Sequence, residues 1–175
     1  VNNAAKSSGG GLYSSSGTLT VVNATIAGNS VSDASGTGGG IGIASGTTSL
    51  KNTLVASNTA TASGPDIAGA VTSQGYNLFG STAGATIGGD TTGNLTSGAP
   101  LLGALANNGG ATQTLALLFG SPAINTGTCT GAPTTDQRGM ARPQNSACDI
   151  GAYERGAPAA LTATGGTPQA TAISA

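Results

Sequence analysis

The chain has 175 residues, five basic and six acidic side chains, a net charge of −1, and neither His nor Trp. Charged residues make up 6%, against about 25% in an ordinary globular domain; so little basic charge argues against a nucleic-acid partner, and no apolar run approaches the roughly 20 residues of a membrane span. Glycine at 31 of 175 residues beside 37% hydrophobic residues favours a folded stack of small side chains over disorder, which goes with high net charge and low hydrophobicity.

Val1–Ala5, without a Met or a signal peptide, reads like the end of a coil, comparable to Ala27–Ser30 ahead of the next triple glycine. The expectation is a chain that begins inside its stack, with a strand edge exposed at that end, an arrangement natural proteins normally cover. Gly9–Ser30 then repeats as Gly38–Thr59 after a shift of 29 residues without a gap. Gly9-Gly10-Gly11 falls on Gly38-Gly39-Gly40, Asn23 on Asn52 and Asn29 on Asn58, while Leu12, Val21 and Ile26 fall on Ile41, Leu50 and Val55. Such a period marks a solenoid whose repeats bury their apolar sides against one another.

Within a repeat the apolar residues form brief alternating runs separated by Gly or Asn, the pattern of short strands and not of a helix. The inward parity shifts between Val21 and Ile26, so the chain bends near Asn23, with Gly17 as a second corner. Three strands and three corners per repeat predict an all-β parallel β-helix with coils about 4.8 Å apart. Asn23 over Asn52 and Asn29 over Asn58 then form side-chain amide ladders along the axis; the plainer alternative is that Asn is a good turn residue. Pro65–Gly80 reads as a third, shorter coil in which Asn77 continues the ladder of Asn23 and Asn52, and residues 81–100 as one more irregular turn. Leu101–Leu105 and Leu115–Phe119 flank the turn signal Asn107-Asn108-Gly109-Gly110. They read as closing the open C-terminal end of the stack, with a short helix at either as the alternative.

From here the chain resembles a known signature. Ala99-Pro100-Leu101-Leu102-Gly103, Leu105 to Thr114 and Gly120-Ser121-Pro122-Ala123-Ile124-Asn125 carry the likeness, with Thr135-Asp136-Gln137-Arg138-Gly139, Arg142-Pro143 and Cys148-Asp149-Ile150-Gly151-Ala152-Tyr153-Glu154. Together they resemble the choice-of-anchor Q domain, which ends many secreted bacterial right-handed parallel β-helix proteins. Ala104, Ala111 and Phe119 stand where that signature usually has Pro, and Leu115 where it commonly has His, so no role of that His carries over. The resemblance implies a right-handed β-helix and a secreted, extracellular or cell-surface location. It implies no single activity. The organisation expected is therefore coils over residues 1–98, a capping region of the same solenoid over 99–156, and an extended tail over 157–175.

Cys129 and Cys148 are the only cysteines, and in a secreted chain they most simply form one disulfide. A metal site, the rival reading, needs further ligands, and there is no His. Asp136, Arg138, Arg142, Asp149, Glu154 and Arg155 hold more than half of the chain's charges. They are expected to pair and hold the terminal loop to the last coil; a catalytic or calcium-binding carboxylate cluster is the sharper alternative. Elsewhere Asp33, Asp66 and Asp90 stand alone among Gly, Ser or Thr and read as turn residues. The grouped acids of β-helix lyases and hydrolases are not visible, a His-based triad is excluded, and the triple glycines lack the Lys of a phosphate loop. No cofactor is expected. Asn23-Ala24-Thr25 and Asn94-Leu95-Thr96 match the N-glycosylation triplet, which chance also supplies in a chain rich in Asn and Thr.

The tail alternates as strands do at Leu161-Thr162-Ala163-Thr164 and at Ala170-Thr171-Ala172-Ile173-Ser174. Leu161, Ala163, Ala170, Ala172 and Ile173 are read as the apolar side of a strand donated to a neighbouring copy, with folding back on its own coils as the alternative. The function expected is a non-enzymatic structural subunit of a self-assembling filament or fibre whose main partner is itself. A surface adhesin or glycan-binding module ranks second, because Tyr13, Tyr76, Tyr153, Phe79 and Phe119 are too scattered for an aromatic platform. A polysaccharide lyase or hydrolase ranks last.

Overall fold

A computed structural model of the protein describes residues 1–96 and 98–156. The tail residues Leu161, Ala163, Ala170, Ala172 and Ile173 lie outside the described residues. Those described form an all-β structure, and none of them lies in a helix long and apolar enough to cross a membrane.

The shift of 29 residues is the register between strands. The first level is β1 (Ala4–Ala5), β2 (Leu12–Ser14), β3 (Thr18–Val22) and β4 (Thr25–Ala27). The second is β5 (Ser30–Val31), β6 (Ile41–Ile43), β7 (Thr47–Lys51) and β8 (Leu54–Ala56). Each strand runs parallel to its counterpart, setting Leu12 against Ile41, Val21 against Leu50 and Ile26 against Val55. β9 (Thr59–Ala60), β10 (Ile67–Gln74) and β11 (Leu78–Phe79) form a third level, with Ile67 on Ile41, Thr72 on Ser49 and Leu78 on Leu54. β12 (Ala85–Asp90) on β10 and β13 (Leu95–Thr96) on β11 add a shorter fourth. Between these strands Ile26, Ile41, Leu50, Val55, Ile67, Val71 and Phe79 make one buried apolar cluster. Successive levels thus repeat the same apolar positions, as stacking requires.

One corner explains the choice of residues at four levels. Asn23, Asn52, Tyr76 and Gly93 all stand two residues before the strand that follows, and all are left-handed, with φ of 48°, 46°, 56° and 65°. Asn and Gly adopt that conformation at little cost. Tyr76 does not, and the structure makes room for its ring at the next level: a Cβ on Gly93 would lie 2.5 Å from Tyr76 Cδ1. The triple glycines meet a different demand. A Cβ on Gly39 would sit 2.2 Å from the Thr59 carbonyl oxygen and 2.4 Å from that of Pro65, so the backbone of the next level closes on it from two points.

The C-terminal region departs from expectation. Residues around Leu101–Phe119 form no helix. β14 (Leu102–Ala106) and β15 (Thr114–Leu117) pair antiparallel, with Asn108 Nδ2 donating across the turn to the Thr114 carbonyl at 2.8 Å. Leu117, Ala123 and Ile150 pack with Leu54, Ala56 and Leu78, the residues that alternate with the inward Val55 and Phe79. The terminal region therefore covers the outer face of the β4–β8–β11–β13 sheet. That sheet offers apolar residues on both faces, and the second face needs a cover as much as the first.

We expect Gly39→Ala to lower unfolding stability by about 1–3 kcal/mol, the usual cost of forcing extra volume into a packed site. Gly88→Ala, where an added Cβ meets nothing within 4 Å, should stay within about 0.5 kcal/mol. Paired urea titrations followed by circular dichroism check both, and equal midpoints would overturn the close-approach account.

Candidate functional site

Amides run along the stack in lines, exposed at Asn3 and buried from Asn29 onward. Asn3 Nδ2 donates to Asn29 Oδ1 at 3.0 Å, Asn29 Nδ2 to Asn58 Oδ1 at 2.8 Å and Asn58 Nδ2 to Asp66 Oδ1 at 2.9 Å. The backbone N–H groups of Asn3, Asn29 and Asn58 donate to the same three oxygens. Every bond points the same way, and the line ends on a carboxylate, which can only accept. Asp66 is thus not the solitary turn residue that its Gly- and Ser-rich surroundings suggest. It is 2% exposed, its second oxygen accepts from Ser81 N at 2.7 Å, and burial pushes its pKa up against those N–H donors.

The second line differs from expectation at Asn77. Asn52 Nδ2 donates to Asn23 Oδ1 at 3.3 Å, but Asn77 does not join them. Leu78 pairs with Leu54, so Tyr76 takes the corner beside Asn52 and Asn77 moves one residue along, beside Thr53. There Asn77 Oδ1 accepts from Thr53 N at 3.0 Å, and Asn94 Oδ1 accepts from Asn77 N at 2.9 Å. The omission of residues from the third level shifts the register. The glycosylation reading of Asn23 and Asn94 meets an obstacle in the folded chain: Asn23 Nδ2 is buried, and Asn94 Nδ2 donates to Ser73 Oγ at 2.9 Å.

The terminal loop brings its charges together. Cys129 and Cys148 form a disulfide. Arg138 pairs with Asp136 and Arg142 with Glu154, each at 2.7 Å. Asp136 also accepts from the backbone N–H of Arg138, Met140 and Glu154. Burial alone would push its pKa up, but these donors together with the guanidinium hold it below the usual carboxylate range. Glu154 is fully buried and accepts from Arg142 Nη1, Gln144 N and Asp149 N. Asp149 makes no salt bridge with a side chain among the described residues. Its oxygens accept from Asn125 N at 2.7 Å and Arg155 N at 2.5 Å, and burial raises its pKa. Arg138 also lies 3.5 Å from the centroid of the Tyr153 ring.

This loop packs Ile150 and Tyr153 into a cluster that includes Leu78 and Leu95, and its hydrogen bonds run to the first two levels. Thr128 N donates to Asn52 Oδ1 at 2.9 Å, Gly151 N to the Asn52 carbonyl at 2.8 Å, and Ala152 N to Thr25 Oγ1 at 3.0 Å. It is bolted to the flank of the first two levels. Asn52, read as a ladder residue, is also the anchor of the loop. Asn3, Asp66 and Thr25 were missed as functional positions; only Asn3 carried a signal, lying near one period before Asn29. Among the described residues no three His, Cys, Asp or Glu side chains are grouped to hold a metal ion. Compared with family models, with curated proteins and with solved structures, the chain matches none.

Asn58→Ala should cost at least about 2 kcal/mol, because it strands the Asn29 amide and the Ile26 carbonyl in a buried site; chemical denaturation checks it, and a change under about 0.5 kcal/mol would refute the buried-line account. Asp66 has a raised folded pKa, so its contribution is fullest at acid pH and is lost as pH rises through that value. Relative to Asp66→Asn, wild type should therefore lose stability as pH rises from the ordinary carboxylate value of 3.8 through the raised one. Denaturation midpoints across that window measure the slope, and a rising difference contradicts it.

Proposed function

We propose that the protein is a structural subunit of an extracellular filament, built as a right-handed parallel β-helix and joined head-to-tail to copies of itself. In this reading residues 157–175 add as a strand to the first level of the next copy. The observation that carries it is the face presented by the first level. β2, β3 and β4 each have a strand partner on one side only among the described residues. Between them Leu12, Val21 and Ile26 border a hollow of about 280 Å³, with Val1 and Asn3 at its rim. An uncharged strand edge next to an open apolar core is a ready template for another strand.

The joint uses different surfaces on the two copies, and such a contact extends into a fibre unless its rotation closes a ring. A net charge of −1 puts little repulsion between copies. We read residues 99–154 as a choice-of-anchor Q type region, which puts the filament at a bacterial surface; the disulfide suits an oxidising compartment.

Negative-stain electron microscopy and light scattering of residues 1–175 and 1–156 test the reading. The longer chain is expected to form filaments and the shorter one to remain monomeric. A monodisperse monomer from the full chain sinks the assembly, and filaments unchanged by the deletion sink the role of the tail.

A further inference from the structure

Phe119 is 87% exposed, the most of any large apolar side chain among the described residues, and Leu118 and Leu101 stand open beside it. The three make one patch. Leu118 N donates to the Leu101 carbonyl at 2.8 Å, and a Cβ on Gly120, next to Phe119, would lie 3.6 Å from Leu101 Cδ1. Single exposed apolar residues are ordinary, but a contiguous group of them marks a contact surface. The β14–β15 hairpin places the patch. Near the tip, Leu105 and Thr114 border a cleft with Thr25 of the first level. At the base, Pro100 borders another with Asp66 and Gly80 of the third. The hairpin thus lies along the stack, with Leu101, Leu118 and Phe119 at the end away from the first level.

What covers the patch follows from the opposite end of the stack. The first-level hollow of about 280 Å³ is walled by Leu12, Val21 and Ile26, and no charged side chain lines it. A cavity of about 150 Å³ already admits a benzene ring, so this hollow has room for a phenyl side chain. Patch and hollow lie at opposite ends of one chain and cannot meet within it, whereas two copies in line bring them together. The course of the chain points to the same end. Arg155 lies over the Phe119 ring, 5.7 Å from its centroid, and residues 157–175 begin just beyond it. A tail that reaches the first level of the next copy therefore leaves from beside Phe119.

We infer that Phe119, with Leu118 and Leu101 around it, seats in the first-level hollow of the next copy. This rests on the head-to-tail reading and adds to it the second surface of the joint. The ring fills the hollow between the edges of β2, β3 and β4, and the tail pairs along one of those edges. Strand addition supplies main-chain hydrogen bonds, while a side chain in a pocket supplies specificity. Phe119 thus fixes how each copy sits on the next.

Light scattering and negative-stain electron microscopy of full-chain Phe119→Ser test the contact. The substitution is exposed, so the unfolding midpoint should not move. The protein concentration at which filaments appear should rise about thirtyfold, as for loss of an aromatic anchor at the centre of an interface. A cross-link gives the second readout. Cys129 and Cys148 are already paired, so oxidising a mixture of Val1→Cys and Leu118→Cys chains should join unlike chains, and neither variant alone should cross-link. Wild-type chains that stay monomeric remove the head-to-tail reading and this contact with it. Filaments that form equally well with Phe119→Ser, or cross-links between like chains only, remove the contact alone. In that case a lowered unfolding midpoint of Phe119→Ser assigns the patch to the chain's own tail.

Discussion

Parallel strands stacked one backbone spacing apart place each side chain over its counterpart, and the rest of this protein follows from which residues tolerate that. Apolar side chains do, as Ile26, Val55 and Phe79 show. Amides do as well, because an amide donates on one side and accepts on the other, so Asn3, Asn29 and Asn58 form one directed line. Like charges do not: stacked one level apart in a buried row they would repel with little screening. The low charge of the chain is thus a consequence of its architecture. Asp66 is tolerated because it stands where the line stops. A carboxylate accepts at both oxygens and donates at neither, so it can end a row of donors and cannot sit within one.

The charges that remain are concentrated where the chain leaves the stack. Arg142 and Glu154 are almost wholly buried, and burying such a pair is expensive unless its other hydrogen-bonding capacity is met. Here Glu154 takes two backbone N–H donors besides the guanidinium, and the Arg142 Nη atoms give to two carbonyls besides the carboxylate, with Nε alone unpartnered among the described residues. The pairs bind loop segments whose only strand-like contact among the described residues is the bridge between Thr135 and Ala141. With the disulfide they turn an irregular stretch into a rigid cover for the outer face formed by Leu54, Ala56 and Leu78.

That cover separates two kinds of surface. Among the described residues the strands of the first level have a partner on one side only and border an apolar hollow, which is the basis for reading the protein as a filament subunit. The flank carries the terminal loop and several clefts, among them one beside Asn23 and Arg142 and one beside Asn58 and Asp66. The Asn23–Asn52 corner joins the stack to its cover, since Asn52 bonds Asn23 on one side and holds the terminal loop on the other.

The sequence by itself determined the levels of the stack: a gap-free repeat of Gly, Asn and apolar residues leaves only one register in which like falls on like, and Leu12, Val21 and Ile26 pair as that register demands. It also marked the cysteines and the charged loop as belonging together, because so few charges occur elsewhere. Only the tertiary structure decided where repetition stops helping. Asn77 lost its place to Tyr76 because the third level is shorter, and a one-residue slip cannot be seen without the strand pairing. Asp66 became the end of an amide line through contacts between levels that its local neighbours do not reveal. The terminal region settled on the flank, at Thr25 and Asn52, because alternate residues of β8 left a second apolar face to cover. Alternation along a strand announces two faces; which neighbour fills each is a matter of contacts distant in the chain.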